Sequence, residues 1–367
     1  MGKVYLLLAT VFVGILVALT YYVFEGAVDI AINFIWEHLF NTDEQRLLII
    51  PIGIILSIAY FASVHYLDPM KENVEEHGMG NAPPPTLLNL IKVLSIGFLA
   101  LVAGASLGPE AILVPACLII GAYVGIKFFR GNKPANQLLA AAGFTALFAA
   151  FFHSFIIGFL SVYLVAQESK IKLNWLIYVI AAIASAASAA TLYLINGHGL
   201  FPLPPLDWKL SVASVIGLLV LALLSYAAIH LMRFVHDLIK TVIVPTVNAR
   251  PWWLHAIIAS VGLSALYLVG GPLIQFTGNA SIQPLIAQST VLDWIAIAGI
   301  VVAKIFAISW SKATGYRGGM IFPSLFVLTG LILIVNQFMT FSFVYGIIFG
   351  LIGMFVADRK AKILMAH

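Results

Sequence analysis

GASLGPEAILVPACLIIGAYVG, residues 104–125, is apolar from end to end except for one carboxylate, Glu110, set beside Pro109 and between glycines. Proline and glycine disrupt a helix interior, but proline is tolerated in the first turn. The stretch therefore reads as a long apolar helix starting near Gly108–Glu110. The run before it, 89–103, is also apolar, so the start lies within a hydrophobic region rather than at its edge. A helix broken inside a bilayer survives only where its end groups face protein or a watery cavity. Glu110 has two readings at such a start. One is a carboxylate capping its own helix's free N–H groups; the other is an intramembrane gate. The two are compatible: a carboxylate docked on those amides occupies an anion's seat, and protonation would release it.

Composition sets the class. Of 367 residues, 62% are hydrophobic and 9% charged, and the mean hydropathy is +1.05. Soluble domains carry about 25% charge, so the chain reads as a polytopic membrane protein. The formal charge of +4 comes from Lys and Arg scattered between apolar runs, not from a basic patch with exposed aromatics. Nucleic acid is therefore not an expected partner. A single Cys117 excludes an internal disulfide framework. The N-terminal run is too long for a signal peptide and reads as a first spanning helix.

Apolar runs near the length of a span fall at 4–24, 47–67, 89–103, 109–129, 138–166, 174–195, 210–233, 252–270, 291–310, 319–336 and 338–357. The two halves resemble each other. VFVGILVALTYYVFEGAVDIAI has the pattern of SVIGLLVLALLSYAAIHLMRFVHDLI from Ser214, and GPEAILVPACLIIG from Gly108 that of GGMIFPSLFVLTG from Gly318. Repeated halves with interrupted helices at matching positions point to a transporter site at the repeat interface. Less chain follows the second marker pair than the first, so the second repeat is expected to be incomplete.

Three Gly/Pro clusters stand before apolar helices: HGMGNAPPPTLLNL at 77–90, GASLGPEA at 104–111 and GYRGGMIFPSLF at 315–326. Glycine lets backbone approach a ligand closely, and helix N-termini present free N–H groups with a partial positive charge. Converging ends of this kind build an anion site without a full cation, which would hold the ion too tightly for transport. Other polar residues have plainer readings. Lys304 and Arg317 read as interface snorkelling or rim residues, and Glu25, Asp29 and Glu37 as solvated residues at a helix end. His153-Ser154 lacks a nucleophile-elbow context. The histidines show no metal-binding spacing. Neither an enzyme activity, a cofactor nor a metal is expected.

In order and spacing the clusters resemble the CLC family of voltage-gated chloride channels and proton-coupled anion antiporters, whose motifs GSGIP, G-(K/R)-E-G-P and GxFxP correspond to GMGNAP (78–83), GPEAI (108–112) and GMIFP (319–323). KIFAISWSKATGYRGGMIFP also looks like the family's Lys-containing helix running into a Gly-rich turn. The resemblance implies an all-α integral membrane fold: CLC-like, with broken helices and inverted repeats, 1–200 and an incomplete 201–367. It implies a multi-pass protein of the plasma membrane, a homodimer in the lipid bilayer, that passes chloride as a channel or transporter gated by Glu110. Met79 replaces the family's central serine, as in its fluoride-exporting branch, so a fluoride/proton antiporter is the alternative. A membrane-embedded enzyme or scaffold on the same fold is a third. The implied anion-lining residues are Gly78, Met79, Gly80, Gly108, Glu110, Gly319, Met320, Ile321 and Phe322. Pro109, Ala111 and Ile112 depart from the second motif, and Ile321 from the third. The position of the family's inward-facing glutamate falls at Val165, with Glu168 about one turn on.

Overall fold

The computed structural model describes residues 3–37, 43–68, 83–129, 132–169, 174–197 and 211–365. Gly78, Met79 and Gly80 lie outside the described residues. In chain order the helices are α1 (Lys3–Trp36), α2 (Asp43–Arg46), α3 (Ile49–Leu67), α4 (Leu87–Val102), α5 (Glu110–Phe128), α6 (Lys133–Phe151), α7 (Phe155–Leu160) and α8 (Val162–Ser169). They continue as α9 (Trp175–Asn196), α10 (Val212–Val242), α11 (Val244–Asn248), α12 (Trp252–Gly270), α13 (Asn279–Gln288), α14 (Trp294–Ala313), α15 (Ile321–Asn336) and α16 (Phe343–Met365). Among the described residues there is no strand, only one antiparallel bridge, Gly108 to Gly319. Among the described residues, eight helices are long and apolar enough to cross a membrane. The protein is an all-α, multi-pass membrane protein.

Two runs differ from the sequence reading. The first helix does not stop near residue 24 but continues to Trp36 as one element. The run 138–166 is not a single span. It breaks after Phe151, where His153 adopts φ 45° and Ser154 accepts a hydrogen bond from Ile157 N–H (3.4 Å) as the N-cap of α7. A histidine in the left-handed region cannot continue an α-helix, and a serine at the next position starts a new one. Caps of the same kind open α6 (Asn132), α9 (Asn174), α10 (Ser211 with Ser214) and α14 (Asp293).

The chain forms two compact units. One comprises Met1–Ile35, Ser63–Phe98 and Glu110–Pro202; the other comprises Trp36–Ala62, Leu99–Pro109 and Leu203–His367. In the first, α5 and α6 cross backbone against backbone. A Cβ at Gly121 would overlap the Leu139 carbonyl, and one at Gly143 the Cys117 carbonyl. Gly121 and Gly125 form the small-xxx-small spacing that lets membrane helices approach closely. Beside this crossing, Leu118, Phe144, Phe148, Val162, Ile177 and Ala181 make an apolar core. Ser188 Oγ–H bonds the Ala146 carbonyl at 2.7 Å, tying α9 to α6.

In the second unit, α14 packs on α12 through the Trp310 indole, which donates to the Ala259 carbonyl at 2.8 Å and lies where a Gly262 Cβ would be. α16 lies on α10, with Gly353 against the Ala222 carbonyl and an Arg233–Asp358 ion pair at 2.5 Å. Large apolar side chains such as Leu223, Phe234 and Ile55 are exposed on helix surfaces, as lipid-facing residues are. Gly121→Leu should destabilise the protein by at least about 1–3 kcal/mol, the cost of overpacking, while Gly299→Ala, with open space around its Cβ, should not. Thermal unfolding in detergent checks the difference.

Candidate functional site

Glu110 is the first residue of α5 and is 4% exposed. The turn that follows is as deeply placed: Ala111, Ile112 and Leu113 are buried. The first N–H groups of any α-helix have no partner within it, and here they belong to a buried helix end carrying a carboxylate. The interior Pro115 removes one further N–H from the ladder. Glu110 also has a titratable neighbour. Glu25, on α1 in the same unit, lies within Coulombic range of both Asp29 and Glu110.

The second unit contains the segment 104–109 and the start of α15. Gly108 N–H donates to the Gly319 carbonyl at 2.8 Å, and Gly319 N–H returns to the Gly108 carbonyl at 2.7 Å. The pairing needs glycine: a Cβ on Gly318 would collide with Leu107. Gly104 (φ 100°) and Gly315 (φ 91°) turn the chain at the far end of each segment. Hydrogen bonds then fix both segments to the surrounding helices. Ser106 N–H donates to Ser311 Oγ (3.0 Å), Tyr267 O–H to the Gly104 carbonyl, Tyr60 O–H to the Gly315 carbonyl (2.9 Å), and Arg317 N–H to Tyr60 Oη (2.8 Å). The Tyr60 and Tyr316 rings stack at 5.4 Å.

This bracing aims the N-terminus of α15. Met320 is its N-cap, with no side-chain cap bond, unlike the serine, asparagine and aspartate caps elsewhere. Ile321 is at the first helical position and 36% exposed, whereas Phe322 is 2% exposed. Pro323 contributes no N–H. Met320, Ile321, Ser324 and Lys312 line a cavity of about 800 Å³ within this unit. Of the residues expected to line an anion path, the structure thus places Gly108, Gly319, Met320, Ile321 and Phe322 in one braced element. It places Glu110 at the buried start of α5.

Lys304 corrects the sequence reading. It does not snorkel; it is fully buried. Its Nζ donates to the carbonyls of Phe276 (2.7 Å), Ile274 (3.0 Å) and Gln275 (3.4 Å), and sits 5.4 Å from the Phe326 ring centre. An ammonium has three donors, and this loop takes all of them. Gly278 (φ 84°) leaves room for it: a Cβ there would crowd Lys304 at 3.1 Å. Arg317 is likewise buried, at 8% exposure, rather than at a rim. Glu25 is half-buried in the interior of α1, not at a helix end. The loop held by Lys304 had a signal in the sequence. Gly278-Asn279-Ala280 repeats Gly80-Asn81-Ala82 of the first Gly/Pro cluster. Among the described residues no group of three or more His, Cys, Asp or Glu could hold a metal.

The family model described as "Voltage gated chloride channel" matches residues 52–363. Over 264 residues the chain is 26% identical to YfeO of Escherichia coli O17:K52:H18, an ion-transport protein by name, covering 70% of this chain and 59% of the relative. It thus spans about three fifths of the length of the curated relatives it matches. Its fold is similar to the crystal structure of a CLC-type fluoride/proton antiporter, at 17% identity and TM-score 0.70 over 98% of this chain and 97% of that one. It is also similar to a slow cyanobacterial Cl⁻/H⁺ antiporter, at 16% identity and TM-score 0.73 over 95% and 84% of the two chains. The match to the family model, running through both braced segments and the starts of α5 and α15, shows that the chain belongs to the voltage-gated chloride channel, or CLC, family.

Proposed function

We propose that the chain passes small inorganic anions across a membrane, with Glu110 as the gate. The observation that carries this reading is a carboxylate 4% exposed at the first position of a buried apolar helix. A charge in that place is costly unless the helix-end amides or a proton satisfy it. Those same amides suit a halide. Ion and carboxylate therefore compete for one seat, and protonation of Glu110 gives the seat to the ion. The uncapped start of α15 at Met320 and Ile321 offers amides of the same kind. No lysine or arginine is needed as an ion ligand, and the buried Lys304 spends its donors on carbonyls.

Chloride is the first substrate by family. Fluoride is the second, favoured by Met79 in place of the family's serine and by the fold shared with a fluoride/proton antiporter. In either case the transport is exchanged against protons through Glu110, and the protein works as a transporter rather than as an enzyme. As a homodimer in the plasma membrane it should scatter light in detergent at twice its 39.7 kDa chain mass; a monomer mass at working concentration contradicts the dimer.

Purified protein in proteoliposomes should release chloride or fluoride down a gradient and take up H⁺ in exchange. Glu110→Gln should retain anion release and reduce H⁺ uptake to the leak of empty vesicles. Folded protein that moves neither anion overturns the function, and H⁺ uptake unchanged in Glu110→Gln overturns the gate.

A further inference from the structure

α10, α14 and α16 bring charged side chains near their C-terminal ends to one place in the second unit. On α10, Val212–Met232 carries no Asp, Glu, Lys or Arg, a stretch about as long as a bilayer crossing. Arg233, His236, Asp237 and Lys240 then follow, so Arg233 stands at the boundary of the apolar layer. α16 meets its first charge at Asp358, and Lys312 lies in the last turn of α14. Hydrogen bonds hold these ends together. Arg233 Nη2–H donates to Asp358 Oδ1 at 2.5 Å and Nη1–H to the Ala357 carbonyl at 3.1 Å. Ser309 Oγ–H of α14 donates to the Met232 carbonyl at 3.0 Å.

The cavity of about 800 Å³ that reaches Met320 and Ile321 lies among these ends. Organic ligands occupy sites of about 300–1,000 Å³, far more than a halide fills. Among the described residues, nine of the fifteen that line the cavity are apolar, which suits a hydrocarbon chain. Three of them on α16, Leu351, Ile352 and Phe355, are also 43–54% exposed. The cavity therefore opens toward the lipid-facing side of that helix. Its titratable lining is mostly basic: Arg233, His236 and Lys312 against Asp358. The nearby acids are engaged, Asp358 by Arg233 and Asp237 by His236 Nδ1 at 3.0 Å. A guanidinium has five N–H donors; Arg233 spends two on these bonds, and its side chain is 27% exposed.

We propose that this cavity seats one anionic phospholipid of the surrounding bilayer, with an acyl chain among α10, α15 and α16 and its phosphate at Arg233. Basic residues at the mouth of a pocket between membrane helices bind anionic headgroups, and a guanidinium matches phosphate oxygens with paired donors. The boundary position of Arg233 is the level at which a phospholipid carries its phosphate, and the opening beside α16 admits the chain from the bilayer. Inside, the chain covers Ile321, which lines the cavity and is 36% exposed at the first position of α15. The lipid thus completes the packing around a helix start that the protein leaves partly open.

Native mass spectrometry of the full chain, delipidated in detergent and given phosphatidylglycerol, phosphatidylcholine or oleate, tests the seat. The wild type should retain phosphatidylglycerol in preference to phosphatidylcholine. Arg233→Gln should weaken phosphatidylglycerol retention about fivefold, the scale of one basic residue against an anionic headgroup, and Arg233→Lys should recover most of it. Ile229→Trp and Ile352→Trp, which fill the cavity from α10 and from α16 and leave the Arg233–Asp358 pair intact, should lower retention as well. Equal retention of the two phospholipids by the wild type overturns the headgroup site. Phosphatidylglycerol retention unchanged in both tryptophan variants overturns the cavity as its seat. Oleate displacing phosphatidylglycerol at equal concentration makes the occupant a fatty acid and overturns the phospholipid. None of these readouts involves ion flux, so they stand or fall apart from the gating role of Glu110.

Discussion

A helix that begins inside a bilayer has amides that no water satisfies, and much of this protein is organised around that constraint. Each unpaired N–H in hydrocarbon costs several kcal/mol, so a helix start there must be buried in protein or offered to a ligand. α5 starts buried in this way, behind Gly108 and Pro109, while α15 opens behind Gly319 with Ile321 36% exposed and Pro323 in its first turn. The paired hydrogen bonds between Gly108 and Gly319 consume two of the backbone donors that would otherwise be stranded. They also fix the segments leading into those helices. Four polar side chains, Ser311, Tyr267, Tyr60 and Ser106, are spent on the same task within the second unit.

Charge is placed with the same economy. Lys304 is a whole cation in an apolar interior, and three carbonyls at 2.7–3.4 Å neutralise its cost. Its field remains, but its donors do not reach an ion. Glu110 is the opposite case, a carboxyl group 4% exposed at the first position of α5. The lysine thus serves as a staple for the loop 274–276, while the glutamate, whose charge state can change with one proton, is suited to switching. That division follows from what surrounds each group, not from the residue type.

Much of the fold was legible in the sequence because bilayer thickness imposes a length on apolar runs, and the runs at 109–129, 252–270 and 319–336 fall within two residues of the helices that form. Glu110 and the Gly/Pro cluster at 315–326 were legible for a different reason: helix breakers in the middle of hydrophobic sequence need a cause. The misses share a physical origin. Whether Lys304 snorkels or is buried depends on a loop thirty residues earlier offering carbonyls, which no local pattern reveals. The half-burial of Glu25 depends on α1 continuing past its apolar run. The break after Phe151 depends on a single positive φ at His153, and histidine carries no strong signal for it.

The central claim is that the Glu110 carboxylate and the transported anion contend for the same helix-end amides. Titrating purified protein with chloride and fluoride by calorimetry, across a range of pH, tests it most directly. Acid should tighten binding of the anion in the wild type, because protonation vacates the seat, and Glu110→Gln should bind at every pH as tightly as the wild type does in acid. Anion affinity with the same pH dependence in both proteins would contradict the account.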